Sequence, residues 1–236
     1  MKLLGVVTAL KAEAQVLIKK PMATGEVLHL PEGILLKISG IGARRARVAS
    51  ETLMKKGATA LLSWGSAGGL LATLSPGSLI LPEKVLSSDQ ISFSVDTQWH
   101  ERLCARLRGH ADLHTGPLIQ SPTVVRSPEE KIALFNRYGV VAVDMESAAV
   151  AQVALLEGVP FMAIRAVSDP AYVSIPPSAM TIIDERGIFR PARLLRSIFR
   201  HPRELLPLAR FARTFRAAQT TLASVKRIAG PNFLAP

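Results

Sequence analysis

Two hydrophobic periods take turns along the chain up to about residue 170, and their alternation predicts strands and helices in succession. Leu3 to Leu10 is an almost unbroken aliphatic run of strand length; Ala12 to Lys20 then spaces its apolar residues as a helix until Pro21 stops it. Val27 to Leu30 and Ile34 to Ile38 read as a hairpin whose return strand ends in Ser39-Gly40-Ile41-Gly42. Ala43 to Lys56 is helical, with Gly57 where a helix C-terminus favours glycine. Thr59 to Trp64 is a buried strand that runs into Gly65-Ser66-Ala67-Gly68-Gly69. Gly77 to Leu86, Leu113 to Ile119, Val140 to Val143 and Phe161 to Val167 complete the predicted strands. Gln98 to Leu107, Ser127 to Tyr138 and Met145 to Glu157 are predicted helices, the last closed by Gly158 and Pro160. Strands and helices in alternation build a largely parallel or mixed sheet covered by helices. Past Asp169 the pattern changes to a proline-punctuated linker and then two arginine-rich helical segments.

Composition narrows the class. With 236 residues, 48% hydrophobic and 20% charged, the chain can bury a core without staples, which excludes general disorder. The single cysteine, Cys104, excludes an internal disulfide framework, and neither CxxC spacing nor His-Cys pairing offers a metal site. No metal or organic cofactor is expected, and a reducing, cytoplasmic location is the default. Met1 to Leu10 is far too short to span a bilayer, so neither a signal peptide nor a transmembrane helix is expected. The net charge of +11 is unevenly spread: from Arg186 onward eleven basic residues face one acid, Glu204, a net of +10. The body is therefore near neutral, and the basic character belongs to the tail.

Ligands of open α/β sheets gather at the C-terminal ends of strands, so polar residues there are the first candidates. Glu13 follows the first strand; Ser39 to Gly42 and Gly65 to Gly69 are glycine-rich strand exits; Asp144-Met145-Glu146 and Arg165 to Asp169 surround the last two strands. Each has a plainer explanation taken alone. The glycines can be punctuation, Glu146 can answer a helix dipole, Asp169 before Pro170 can be a turn residue, and Glu13 can be a solvated charge.

Taken in order, VVTALKAE ending at Glu13, SGIG at 39–42, WGSAGGL at 64–70, VDMESAAVA at 143–151 and IRAVSD at 164–169 resemble the motifs of the methylthioadenosine and adenosylhomocysteine nucleosidases and their phosphorylase cousins. The resemblance covers about residues 3 to 170. It implies cleavage of a purine N-glycosidic bond, in which positive charge develops on the sugar and negative charge on the departing base. Asp169 matches the family's general acid, oriented by Ser168, and Glu146 the carboxylate that grips the ribose hydroxyls. Met145 would pack on the ribose, Glu13 would activate water, and Ser66 and Gly68 would let backbone approach nucleophile and sugar. Arg165 would position the Glu146 or Glu13 carboxylate, or serve as a structural ion pair. The segment QSPTVV at 120–125 departs from the family pattern, placing Val124 near the expected phenylalanine; Phe93 or Trp99 would then be needed for an aromatic wall. Water or phosphate as nucleophile stays open: Glu13 points to hydrolysis, while Arg44, Arg45 and Arg126 beside glycine-rich backbone would bind phosphate as co-substrate.

The tail carries a second resemblance. Pro191 to His201 and the segment from Leu205 onward each set arginines opposite a leucine and phenylalanine stripe, as amphipathic helices do. Such helices either cover the sheet or touch an anionic membrane surface; nucleic acid is disfavoured because no aromatic platforms are interleaved. DERGIFRPARLLRSIFRHPRELLPLARFAR is similar to the extension of hopanoid-associated phosphorylases, which implies adenosylhopane as the substrate. The fold expected from these resemblances is α/β, a single-domain three-layer α/β/α arrangement with a mixed, partly barrel-like central sheet and basic amphipathic C-terminal helices. A phosphorylase-like catalytic domain would span 1–185 and a basic helical extension 186–236, packed on or beside it. The implied assembly is a homodimer acting on a small-molecule or lipid-linked adenine nucleoside, cytoplasmic or peripheral at the inner membrane surface.

Overall fold

Aliphatic runs buried on both faces make the centre of the sheet in the computed structural model, which describes residues 2–18, 25–194 and 202–236. Strand β1 (Leu4–Thr8) lies between β3 (Ile34–Ile38) and β4 (Ala60–Gly69), parallel to both, and β2 (Val27–Leu30) returns antiparallel on β3. The sheet forks at β4. Its first part pairs in parallel with β11 (Phe161–Asp169), whereas Gly68 and Gly69 at its end pair antiparallel with β10 (Ala142–Asp144). Beyond β10 come β9 (Leu118–Gln120), β6 (Lys84–Leu86) and β7 (Ser92–Ser94); beyond β11 come β5 (Leu79–Ile80) and β8 (Leu113–His114). The sheet is mixed, and helices cover it on both sides.

Two expected strands are broken where proline removes a ladder donor. The run Gly77 to Leu86 divides into β5 and β6 around Pro82, and Leu113 to Ile119 divides into β8 and β9 around Pro117. The opposite happens at Gly65 to Gly69, which stays in β4 as strand rather than leaving it as a turn. β7 had no expected counterpart.

The helices are α1 (Lys11–Leu17), α2 (Ala43–Lys55), α3 (Thr97–Leu107), α4 (Pro128–Tyr138), α5 (Ser147–Glu157), the short α6 (Pro177–Ile182) and the long α7 (Leu205–Ala229). Side chains start them: Asp96 caps α3, and Ser127 with Glu130 forms a capping box on α4. α6 falls in the stretch expected to be linker. Residues 191–194 are helical, but the rest of the helix expected over Pro191 to His201 lies outside the described residues. The same holds for the expected end of the first helix at Lys19 and Lys20.

α7 buries Leu208, Ala218, Leu222, Val225 and Ala229 and packs on β11, α1 and α3. The residues after it are also anchored: Phe233 is fully buried with its ring 5.0 Å from that of Trp64, and its carbonyl accepts the Trp99 indole N–H at 2.7 Å. Arg210, Arg213 and Arg216 lie on the exposed side. Among the described residues, no helix is long and apolar enough to cross a membrane.

Candidate active site

Three chain segments that end at the same edge of the sheet deliver one carboxylate each. Glu13 comes from the first turn of α1, Glu146 from the junction of β10 and α5, and Asp169 from the last residue of β11. All three are buried, and all three line one cleft of about 180 Å³, together with Ser66, Gly68, Val124, Met145 and Ser168.

Glu13 is the acceptor for four donors. Its Oε2 receives the Thr8 hydroxyl at 2.8 Å and the Leu10 N–H at 3.1 Å; its Oε1 receives both the N–H and the hydroxyl of Ser66 at 2.8 Å. Space for this carboxylate exists because β4 has no side chain at Gly65. A Cβ there would lie 2.7 Å from Glu13 Oε1. Gly68 does the same for the acid opposite, since its Cβ would lie 3.0 Å from Asp169 Oδ2. Gly65 and Gly68 are therefore room for carboxylates within a strand, not punctuation after one.

Glu146 occupies the N-cap position of α5 but does not cap it. Asp144 takes that work: its Oδ1 accepts the N–H groups of Glu146 and Ser147 at 3.3 Å. The Glu146 side chain is thereby free to turn into the cleft, where Oε1 accepts the Gly42 N–H at 2.7 Å. Burial pushes its pKa up to about 8, the nearby Asp144 and Glu13 carboxylates add to the rise, and the Gly42 N–H and Arg165 oppose it.

Arg165 does not reach Glu13 or Glu146. It is buried against Asp144, with its guanidinium 2.7 Å from Oδ2, and it also bonds Ser63 at 2.6 Å, Ser147 at 2.9 Å and the Ile164 carbonyl at 3.1 Å. It acts on Glu146 by charge, without a hydrogen bond, and it holds Asp144, which also accepts the Ser147 hydroxyl. Ser168 donates to Asp169 Oδ1 at 2.6 Å. Burial raises the Asp169 pKa above the usual carboxylate range, against the opposing pull of Lys131 and the Ser168 hydroxyl.

Several expected partners stand elsewhere. Phe93 and Trp99 are core residues, the latter with no exposure, so neither walls the cleft. Val124, Val125 and Ile175 supply aliphatic walls instead. Arg44 and Arg45 line a separate depression on the outer side of α2, where Arg45 pairs with Glu185 at 2.6 Å; Arg126 is exposed beside Glu130. The helix N-terminus at Gly42, which would attract a phosphate, already gives its N–H to Glu146.

A second cavity, of about 780 Å³, adjoins the cleft and shares Leu10, Ser66 and Ser168 with it. Its walls are mostly apolar: Ile182, Phe189 and Leu194 on one side, Leu208, Phe211 and Phe215 of α7 on the other. Sequence reasoning missed this cavity, Asp144 as the true cap, and Lys131, which is buried against Asp169. Lys131 did leave a trace, because it occupies the first place in the helical stripe Lys131, Leu134, Phe135, Tyr138, where an apolar residue belongs.

The model of the phosphorylase superfamily matches residues 5–185. The chain belongs to that superfamily. Among curated relatives, the 5'-methylthioadenosine/S-adenosylhomocysteine nucleosidase of Baumannia cicadellinicola is 30% identical over 163 residues, covering 61% of this chain and 71% of its own. The nucleosidase of the same name from Geobacillus kaustophilus is 30% identical over 161 residues, covering 59% and 68%. Solved structures extend the likeness of fold into the tail. The Neisseria meningitidis nucleosidase in complex with methylthio-immucillin-A has a TM-score of 0.70 at 23% identity, covering 95% of this chain and 96% of that one. Futalosine hydrolase of Helicobacter pylori has a TM-score of 0.68 at 18% identity, covering 96% and 97%. A superfamily member with this fold thus carries its cleft at the sheet edge where β1, β4, β10 and β11 end.

Proposed function

We propose that this chain cleaves the N-glycosidic bond of an adenine nucleoside by hydrolysis, with Glu13, Glu146 and Asp169 as its working groups. The observation that carries this is the convergence of the three carboxylates, brought from distant segments into one buried cleft. Asp169 protonates the departing purine, Ser168 orients that carboxyl, and Glu146 holds the ribose hydroxyls with Met145 against the sugar. Glu13 takes the proton of the attacking water. Of the two hydroxyls on Glu13, that of Ser66 lines the cleft and can rotate away to admit that water.

Water is favoured over phosphate because Glu13 occupies the anion cradle. The Ser66 N–H and hydroxyl, the Thr8 hydroxyl and the Leu10 N–H are the donors a phosphate would need, and the chain's own carboxylate has them. Arg44 and Arg45 lie outside the cleft.

The favoured substrate is an adenosyl compound with a bulky apolar group on the sugar, adenosylhopane in particular, which would place the enzyme in hopanoid biosynthesis. The adjoining apolar cavity supports this, as does the similarity of the tail to hopanoid-associated phosphorylases. A substrate of that kind resides in a membrane. The exposed Phe189, Leu205 and Leu206 near the cavity, among arginines, suit peripheral contact of a cytoplasmic protein with an anionic lipid surface. A homodimer is the proposed assembly, supported by the exposed Val48, Leu155 and Leu156 on the neighbouring helices α2 and α5.

Purified protein given methylthioadenosine, or an adenosyl compound with a long apolar 5' chain, with and without phosphate, tests the assignment. Free adenine and free ribose product are expected, with the apolar substrate preferred. Ribose phosphate as product would overturn hydrolysis, and faster turnover of methylthioadenosine would overturn the lipid substrate. Asp169→Asn should slow base release by about 10²-fold or more.

A further inference from the structure

Helix α4 buries one residue completely, and that residue is a lysine. Lys131 has 0% exposure while its neighbour Ile132 has 51%, the reverse of what transfer from water selects. A buried ammonium costs several kcal/mol unless its charge and its protons are all answered. Here they are answered by the segment that carries and follows Asp169. Nζ donates to the carbonyls of Asp169 at 3.0 Å, Pro170 at 2.9 Å and Val173 at 2.9 Å. Its three protons are then spent. The nitrogen also lies 2.8 Å from Asp169 Oδ2, and among the described residues nothing else pairs with that oxygen. The two oxygens of one carboxyl are thus unlike: Oδ1 holds the Ser168 hydroxyl, and Oδ2 faces a fixed cation.

We propose that Lys131 is a positioning residue for the acid: it clamps the turn after β11 and sets a permanent positive charge where the Asp169 carboxylate appears when its proton leaves. This rests on Asp169 acting as the acid. In the step itself an O–H bond of the Asp169 carboxyl breaks as the purine N–H bond forms, and the negative charge left on the carboxylate is shared with Oδ2 beside the ammonium. The glycosidic C–N pair leaves with the base, water adds to the anomeric carbon, and Glu13 takes the water proton. The cation gains value only as the proton departs, so it stabilises the transition state more than the resting acid.

Among the described residues, the charged groups around Asp169 are few. Lys131 faces it from α4, and Glu13, Asp144 and Glu146 line the same cleft from α1 and the β10–α5 junction. Arg165 on its own strand is turned to Asp144, and β4 presents no titratable side chain. On α7, Arg210, Arg213, Arg216 and Arg227 are exposed, and Lys226 is bonded to the carbonyls of Val16 and Leu17.

The test compares the full-length chain with Lys131→Met, Asp169→Asn and the double variant, using adenine release from methylthioadenosine across pH. Lys131→Met should lower kcat at least about 10-fold and move the alkaline limb of kcat/KM to higher pH, because a weaker acid keeps its proton longer. In the Asp169→Asn background Lys131→Met should have no further effect on rate. Thermal melts give a readout without turnover. Burial without the cation raises the folded-state pKa of Asp169 further above its unfolded value, so Lys131→Met should lose stability more steeply than the native chain as pH rises above the ordinary carboxylate range. That extra slope should vanish in the double variant. Lys131→Gln, which can still donate to a carbonyl, is read in the same way where Lys131→Met does not fold. A folded variant with an unmoved alkaline limb and an unchanged melting slope overturns the proposal. Undiminished base release by Asp169→Asn would instead remove the acid on which it rests.

Discussion

A methyl group on Gly65 would lie 2.7 Å from Glu13 Oε1 and 2.8 Å from its Cδ, so Gly65→Ala must displace the carboxylate from its four donors. Base release should fall by about 10²-fold, with a loss of about 1–3 kcal/mol in thermal or denaturant unfolding. Glu146 makes a different prediction. Its folded pKa of about 8 lies above the unfolded value, so the stability it contributes is present in acid and is lost as pH rises through about 8. Melting temperatures of the ligand-free chain should decline across that range, and Glu146→Gln should flatten the decline. The three carboxylates were legible in the sequence because each sits in a short motif of fixed order. What the motifs did not say is how the acids are supported. Asp144 stands beside Met145 in the same motif and caps α5 locally, but its partnership with Arg165, itself held by Ser63, joins residues far apart in sequence. Val124 brings no aromatic ring to the cleft, and no pattern told that aliphatic neighbours, not Phe93 or Trp99, would line it.

Elements were legible where one face is apolar and a cap is present. α4 begins at the Ser127 capping box and α5 ends at Gly158, as their sequences dictate. Strands were harder wherever a run of apolar residues contains a proline, because hydrophobicity continues across Pro82 and Pro117 while the ladder does not. β4 misled in the other direction, since glycine usually marks a turn and here makes room. α7 has two tasks along its length. Its later part is core, so Leu222→Ala, at a residue with no exposure, should cost about 2–5 kcal/mol in unfolding. Its earlier part walls the apolar cavity with Phe211 and Phe215. Phe211→Ala should spare turnover of methylthioadenosine and raise KM for a substrate with a long apolar chain; equal effects on both substrates would remove the cavity from the account of specificity.

Across the whole molecule, charge and hydrophobicity are separated. The net charge of +10 from Arg186 onward nearly equals the +11 of the entire chain, leaving a neutral body beside a cationic extension. Each basic residue held at an anionic lipid surface contributes on the order of 1 kcal/mol at modest salt. Co-sedimentation with anionic vesicles is therefore expected, weakening as salt is added and absent with neutral vesicles; failure to bind anionic vesicles at low salt would exclude the contact.

The same extension reaches back to the other end of the chain. Lys226 Nζ donates to the Leu17 carbonyl at 2.6 Å and approaches that of Val16 at 3.4 Å, closing the open end of the helix that holds Glu13. Every motif of the cleft lies before residue 170, yet the helix that carries Glu13 is fastened by a side chain that belongs to none of them. The seat of Glu13 is thus shared between the two ends of the fold, and a change at Lys226 would be felt far away, at the first helix.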